Sequence, residues 1–280
     1  MSFIKLPLVL LLSLVISCAA IEKTASTWIL IDNFEFADTE SRWFKFDAQN
    51  DTKPHIPNPQ ITHIVSEKDF NNHYLLKKPA ADGVIGNRKA LSYIKLPVQI
   101  GIGETYTLYA RFNIEYFPNN HSFGLSNLTP ENINTKSYDA FEPMIRITDK
   151  VESNGDKNDG TLMVLNDYKS YSKIINPQTT MPAQPLQTDT WYEIWVVVNN
   201  ASKTAGGQSY DLHVNGGEFK NQQAVYKNAT FRMNRVLPLS YFITISNTGS
   251  KKQPYGNGGV RYDDLYMARG MVLSSPLSFD

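Results

Sequence analysis

Several side chains in this sequence are of the kinds that move a proton next to a stabilised negative charge. Arg88 and Lys89 follow the glycines of "GVIGNRKALSY" (83–93), and Arg111 and Arg146 stand in runs that alternate polar and apolar residues. His121 lies in the turn-forming "PNNHSFGLSN" (118–127), and Tyr255 lies in "QPYGNGGVR" (253–261). Such a set suits β-elimination on a sugar acid. The proton α to a uronate carboxylate does not leave unless Arg, Lys, Asn or Gln neutralises that carboxylate, as an oxyanion hole would. A His or Tyr then takes the proton, and a Tyr returns one to the leaving oxygen. In this scheme His121 and Tyr255 transfer protons while Arg88 and Arg146 neutralise charge. The competing expectation for each Arg is an ion pair with one of the 27 acidic residues.

A second set asks for less. Aromatic faces stack on pyranose rings, and planar polar side chains fix the hydroxyls, with no reaction required. Tyr109, Arg111, Asn113, Lys89, Trp191, His213 and Arg261 are candidates to hold a glycan in this way. Glycoside hydrolysis is disfavoured, because it needs two carboxyl groups facing one bond about 5–9 Å apart. Glu193 stands between Trp191 and Trp195 without an acidic partner two residues away, and no Glu-x-Asp-x-x-Glu string occurs. Zinc is disfavoured too, since there is neither a His-x-x-x-His nor a Cys pair.

The elements that must position these residues have a period of two. In Thr105–Ile114, Tyr106, Leu108, Ala110, Phe112 and Ile114 fall on one face, and Tyr109, Arg111 and Asn113 on the other. Met144–Thr148 alternates in the same manner. Trp191–Val198 is nearly continuous in aromatic and β-branched residues, as a strand buried on both faces would be. Tyr210–Val214, Val236–Ser246 and Gly259–Met267 complete the predicted strands, separated by Gly, Pro, Asn and Asp clusters. No helical stripe is sustained, and Ser66–Asn71 allows at most a turn or two. The expectation is an all-β antiparallel β-sandwich in one domain, 28–280. Which face carries a ligand stays open, because a slip of one residue in register exchanges the faces.

The N-terminus pairs one Lys with an apolar run, Leu6–Ile16, too short for a membrane span and suited to a signal peptide. The chain's single cysteine, Cys18, follows Val15-Ile16-Ser17, which resembles a bacterial lipobox. That resemblance implies a signal peptide over 1–17, a lipidated Cys18 with a tether over 18–27, and membrane attachment through the lipid. Ala19 rather than Asp after the cysteine implies an outer-membrane lipoprotein of the bacterial cell envelope. Lys+Arg and Asp+Glu balance at 27 each, which argues against nucleic acid as a partner. The chain beyond the leader has no disulfide to lean on and is long enough to bury a core; a monomer is expected.

"TWYEIWVVVNN" (190–200), "YDLHVNGG" (210–217) and "GGVRYDDLYMARG" (258–270) resemble the concanavalin A-like, laminin-G-like jelly-roll superfamily, and "IDNFEF" (31–36) resembles its opening strand. The resemblance implies a jelly roll whose first and last strands adjoin. It also implies a structural calcium ion held by Glu35 and Asp264, with Asp32 or Asp263 in support. The superfamily hosts lectins, glycosidases, lyases and inert modules, so fold does not decide activity. Its alginate lyases carry Gln-Ile-His and Tyr-x-Lys-x-Gly-x-Tyr, and neither string occurs here. Three functions therefore stay open: a polysaccharide-binding envelope lipoprotein, a polysaccharide lyase acting on a uronate polymer, and a structural or adhesive lipoprotein.

Overall fold

The computed structural model describes residues 28–277 apart from 37, 68–70, 87, 153–154, 167–169 and 251–252. Cys18 and the predicted leader and tether lie outside the described residues. The first strands are β1 (Ile29–Asp32), β2 (Phe44–Asn50), β3 (Ile61–Ser66), β4 (His73–Lys78) and β5 (Arg88–Ile100). Then come β6 (Thr105–Ile114), β7 (Asn120–Ser126), β8 (Met144–Thr148), β9 (Met163–Leu165) and β10 (Tyr171–Lys173). A small ribbon pairs β11 (Ile175–Asn176) with β12 (Met181–Pro182). The chain continues through β13 (Trp191–Asn199), β14 (Ser209–Gly216), β15 (Phe219–Thr230) and β16 (Leu239–Asn247). A second ribbon, β17 (Gly249–Ser250) with β18 (Gln253–Pro254), precedes the last strand, β19 (Val260–Arg269).

Two antiparallel sheets face each other. The eight-stranded sheet runs β15-β14-β13-β6-β19-β4-β3, with β1 also on β19, so first and last strands adjoin. The seven-stranded sheet runs β10-β9-β8-β7-β16-β5-β2. The alternation in β6 decides its orientation. Tyr106, Leu108, Ala110, Phe112 and Ile114 all enter the core, and Arg111 turns outward. On the neighbouring β13, Val196 lies opposite Leu108 and Ile194 opposite Ala110, both in the same core. Burying each such aliphatic or aromatic side chain stabilises by about 1.5–3 kcal/mol.

The interior turns polar toward one end. Across β7, β16 and β5, the inward rows read Leu125–Phe242–Ile94, then Phe123–Thr244–Ser92, then His121–Ser246–Ala90. The facing sheet supplies Lys77, Thr62 and Tyr262, all fully buried. Lys77 donates to the Oε1 atom of Gln60, which also accepts from Ser92 Oγ at 2.9 Å. Burial holds the Lys77 ammonium well below its usual range, with Arg88 pushing the same way.

Some expectations are corrected here. His121 belongs to a strand rather than a loop, and β16 begins at Leu239, three residues later than expected. Two short helices, α1 (Thr39–Arg42) and α2 (Pro130–Lys136), form where no stripe was legible, because each spans no more than two turns. Residues 68–70 of the turn expected over Ser66–Asn71 lie outside the described residues; β3 ends at Ser66, and beside them the Glu67 amide donates to the Asn72 carbonyl at 2.8 Å. Of the run Trp191–Val198 expected to be buried on both faces, Ile194–Val198 is, while Trp191 and Glu193 stay partly exposed. The outer cover is the C-terminal segment, whose Ser274 carbonyl accepts from the Trp195 indole at 3.2 Å.

Candidate functional site

The outward face of the seven-stranded sheet is set by the same parity. Ile145 and Ile147 point into the core, so Met144 and Arg146 point out; Phe123 and Leu125 point in, so Asn120 points out. The segment between β7 and β8 folds back over this face. It lays Ile133 of α2, then Ala140 and Phe141, onto Leu91, Met144, Ile243 and Ile245 in a second apolar cluster. Beyond that cover the sheet opens into a cleft of about 250 Å³. Three cations line it (Arg146, Lys150, Arg232), with three tyrosines (Tyr138, Tyr171, Tyr255), the amides Asn120 and Asn247, and one carboxylate, Glu152.

Each of two cations rests on an aromatic ring. The Arg146 guanidinium lies 4.6 Å from the Tyr171 ring centroid, and Lys150 Nζ lies 4.9 Å from that of Tyr255. Rings of this kind attract a cation through their quadrupole and fix its position. Arg146 also donates to Asn120 Oδ1 at 3.4 Å. Arg232 pairs with Asp139 at 2.9 Å and donates to the Tyr171 hydroxyl at 3.4 Å. Tyr255 is placed by a tight return of the chain. Its amide donates to the Thr248 carbonyl at 2.7 Å, and Gly258 donates to the Pro118 carbonyl at 3.1 Å. Gly256 has φ +80°, and a Cβ on Gly258 would lie 2.1 Å from the Tyr116 carbonyl oxygen, so only glycines permit this approach.

The electrostatics favour anions. Burial pushes the Tyr138 hydroxyl up to about 12, against the pull of Arg146, and raises Tyr171 against Arg146 and Arg232. Both phenols therefore stay protonated near pH 7, the Tyr171 O–H being directed at Met144 Sδ at 3.4 Å. Burial alone would raise the Glu152 carboxyl, but the hydrogen bond from Lys150 and the charges of Arg146 and Lys150 outweigh it and hold the group ionised. The cleft thus offers cationic and hydroxyl donors to the oxygens of a ligand, in a space open to solvent.

The candidates read from sequence divide between the two sheets. Arg146 and Tyr255 meet in the cleft, and Lys89 flanks it, half-buried and in register with Asn247. His121 does not reach it. Its side chain is fully buried between the sheets, with Nε2 at 2.7 Å from the Tyr262 hydroxyl. Arg88 is also interior, donating to Asp47 Oδ1 at 2.6 Å, so it neutralises a carboxylate of its own chain. Tyr109, Arg111, Asn113, Trp191, His213 and Arg261 lie on the outward face of the eight-stranded sheet, across the core from the cleft. Tyr109 is no exposed platform there. It is buried against Trp28 and Trp195 and donates to Glu193 at 2.6 Å. Asn113 accepts from Arg261, His213 is nearly buried, and Arg111 lies between Asp264 at 3.0 Å and the Trp191 ring at 4.8 Å.

Of the carboxylates assigned to calcium, Glu35 and Asp264 lie near enough that, after burial, the charge of Glu35 raises the Asp264 carboxyl, and among the described residues no three acidic or His side chains gather in one place. Asp32 accepts from the Phe34 amide, the Trp43 indole and Arg42, each at 3.0 Å. Glu35 accepts from the His73 amide at 2.7 Å, and its other oxygen meets the His73 ring at 2.7 Å. Asp263 accepts from Asn72 at 3.0 Å and from the Asp264 amide at 2.8 Å, in a bulge where Asp264 has φ +52°. These carboxylates are spent on protein donors.

Sequence reasoning missed Asn120, Tyr138, Lys150, Glu152, Tyr171, Arg232 and Asn247 as cleft residues. For Asn120 a signal existed: His121, Phe123 and Leu125 share one parity, so the apolar face takes the histidine and the other face takes Asn120. Tyr171 and Arg232 come from distant segments and carry no local mark.

No protein-family model matches the chain, and no curated protein matches it. Solved structures do. A PL-14 alginate lyase from the marine Aplysia kurodai aligns with a TM-score of 0.53 at 13% identity, over 88% of this chain and 99% of that one. Basic winged bean lectin with Tn-antigen aligns at 0.49 and 10% identity, over 87% and 99%. The VIP36 exoplasmic/lumenal domain, in its Ca2+/Man3GlcNAc-bound form, aligns at 0.46 and 10% identity, over 89% and 93%. At such identities the likeness is one of fold, and the fold is the concanavalin A-like jelly roll.

Proposed function

We propose that the protein binds an acidic polysaccharide in the cleft over the seven-stranded sheet. The carrying observation is that Arg146 and Lys150, each seated on a tyrosine ring, face one open cleft beside Asn120 and Asn247. Guanidinium and ammonium donors match carboxylate oxygens, and the charge-assisted bonds they make are stronger than neutral ones. The test is electrophoresis through gels containing alginate, polygalacturonate or neutral dextran. Retardation by the acidic polymers and not by dextran is the expected result. Free migration in every gel would remove this function and leave the adhesive alternative.

A second reading, lyase action on the same polymer, is favoured by Tyr255. Its ring lies under Lys150 in the cleft, so a phenol adjoins a group able to neutralise a uronate carboxylate. The solved alginate lyase with the same fold adds support at the level of fold. Elimination creates an unsaturated uronate, so turnover is followed by absorbance at about 235 nm, with the Tyr255 phenol assigned to proton transfer. Attachment to a bacterial envelope through Cys18 belongs to the same proposal and is supported by the sequence around that cysteine. Replacing Cys18→Ser should move the protein from the membrane to the soluble fraction; continued membrane attachment would contradict it.

A further inference from the structure

The most exacting contacts in the cleft are made to a carboxylate of the chain itself. Glu152 Oε1 receives Arg146 Nη2 at 2.7 Å and Asn158 Nδ2 at 2.8 Å, while Oε2 receives Lys150 Nζ at 2.7 Å. Both oxygens of one carboxylate are thus held by three donors, two of them the cations on which ligand binding has just been argued to rest. Glu152 covers what it binds. The Arg146 side chain is 7% exposed and that of Lys150 14%, while Glu152 itself is 25% exposed, on the solvent side. The residue sits in the connection that follows β8 and leads back toward β9. Backbone bonds hold it there, with its amide donating to the Asp156 carbonyl at 2.8 Å and Asn158 donating to the Lys150 carbonyl at 3.1 Å.

A permanent structural ion pair needs no open cleft around it, and a ligand site needs no internal anion. Both features together have a simple account. We infer that Glu152 occupies the seat of a ligand carboxylate, and that an acidic sugar binds by displacing it from Arg146 and Lys150. This rests on the cleft being the polysaccharide site. Glu152 then sets specificity. A neutral sugar hydroxyl is too weak an acceptor to displace an ionised carboxylate from two cations, whereas a uronate exchanges like for like. The exchange lowers affinity for every acidic ligand by the strength of the internal contacts, and it keeps Arg146 and Lys150 from being left uncompensated when the cleft is empty.

The test compares wild type with Glu152→Gln, an isosteric change that removes the charge while leaving the side-chain volume in place. Binding of alginate oligomers is measured by titration, with dextran as the neutral comparison and thermal melting as the check on folding. Removing the competitor should tighten alginate binding by about ten-fold, the scale of a lost charge-assisted contact, with dextran unchanged. Asn158→Ala loosens the same carboxylate while leaving both cationic heads in place, although it also removes the Nδ2 bond to the Lys150 carbonyl at 3.0 Å; it should tighten alginate binding by a smaller factor even if Glu152→Gln folds poorly. Wild type that binds alginate, with both variants binding equally or more weakly, overturns the inference and leaves the cleft assignment standing. Equal tightening toward dextran also overturns it. Absence of alginate and polygalacturonate binding in wild type and both variants overturns the cleft assignment together with the inference.

Discussion

The hydroxyl of Tyr262 and Nε2 of His121 lie 2.7 Å apart between the two sheets, and neither side chain is exposed to solvent. A histidine so placed is part of the fold and cannot take a proton from a polymer lying outside. His121→Ala should therefore destabilise without touching the cleft. It opens a void and strands the Tyr262 hydroxyl, losses that together amount to about 2–4 kcal/mol. Denaturant unfolding measures the loss, and the gel assay on folded variant should match wild type. A well-folded variant without retardation would put His121 back in the site.

The pH profile of stability should carry two opposed contributions. Burial holds the His121 imidazole well below 6.5, with Lys77 adding to the effect. The unfolded chain takes up this proton near 6.5 and the folded one does not, so stability present above that pH is lost as pH falls below it. Asp263 behaves oppositely. Burial, then the charge of Asp264, pushes its carboxyl up to about 7 against a usual 3.8. Its contribution is full below 3.8 and is lost as pH rises through about 7. Asp263→Asn isolates that contribution. The variant should gain on wild type by about 1–3 kcal/mol as pH rises from 4 to 8. Urea midpoints at several pH values measure the difference, and a constant offset would show that Asp263 ionises normally.

The fold was more legible than the site, and for a physical reason. Strand faces are written locally: five apolar residues at every second position of β6 suffice to name its buried side, and the register then follows from burial. Even His121 could be placed by sharing parity with Phe123 and Leu125. The cleft is assembled from β7, β8 and the connection after it, β10, β16, the turn before Phe141, the loop at Arg232 and the return at Tyr255, and which of these segments meet is decided by strand order. Strand order leaves no trace in any single segment. The carboxylates assigned to calcium mark a different gap between sequence and structure. Acidic residues near adjoining strands are necessary for that site, but Phe34, Trp43, His73 and Asn72 supply donors that sequence spacing does not reveal.

Two substitutions in the cleft separate holding from reaction. Arg146→Ala removes the guanidinium seated on Tyr171 and should weaken retardation by alginate at least about ten-fold, the scale of a charge-assisted contact. Tyr255→Phe keeps the ring beneath Lys150 and removes only the hydroxyl. It should retain retardation and, where wild type produces a rise in absorbance at about 235 nm, abolish that rise. Loss of retardation in Tyr255→Phe would make the hydroxyl a binding contact instead.

The outward face of the eight-stranded sheet offers the contrasting experiment. Trp191 lies there under Arg111 at 4.8 Å, edge-on to Tyr74 at 6.0 Å, and its indole donates to Glu67 at 3.2 Å. Every one of these contacts is internal, and Arg111 is itself engaged by Asp264 at 3.0 Å. The cluster therefore has the makeup of a sugar platform, but the Trp191 indole N–H and Arg111 Nη1 already have partners within the protein. Trp191→Ala should lower stability by about 1–3 kcal/mol through lost packing and the lost cation–π contact. The melting temperature should fall accordingly, and retardation by alginate should stay at the wild-type level. Because the sandwich core separates this face from Arg146 and Tyr255, one outcome discriminates between the two faces: if Trp191→Ala migrates freely while Arg146→Ala is still retarded, the glycan lies on the eight-stranded sheet and the cleft is not its site.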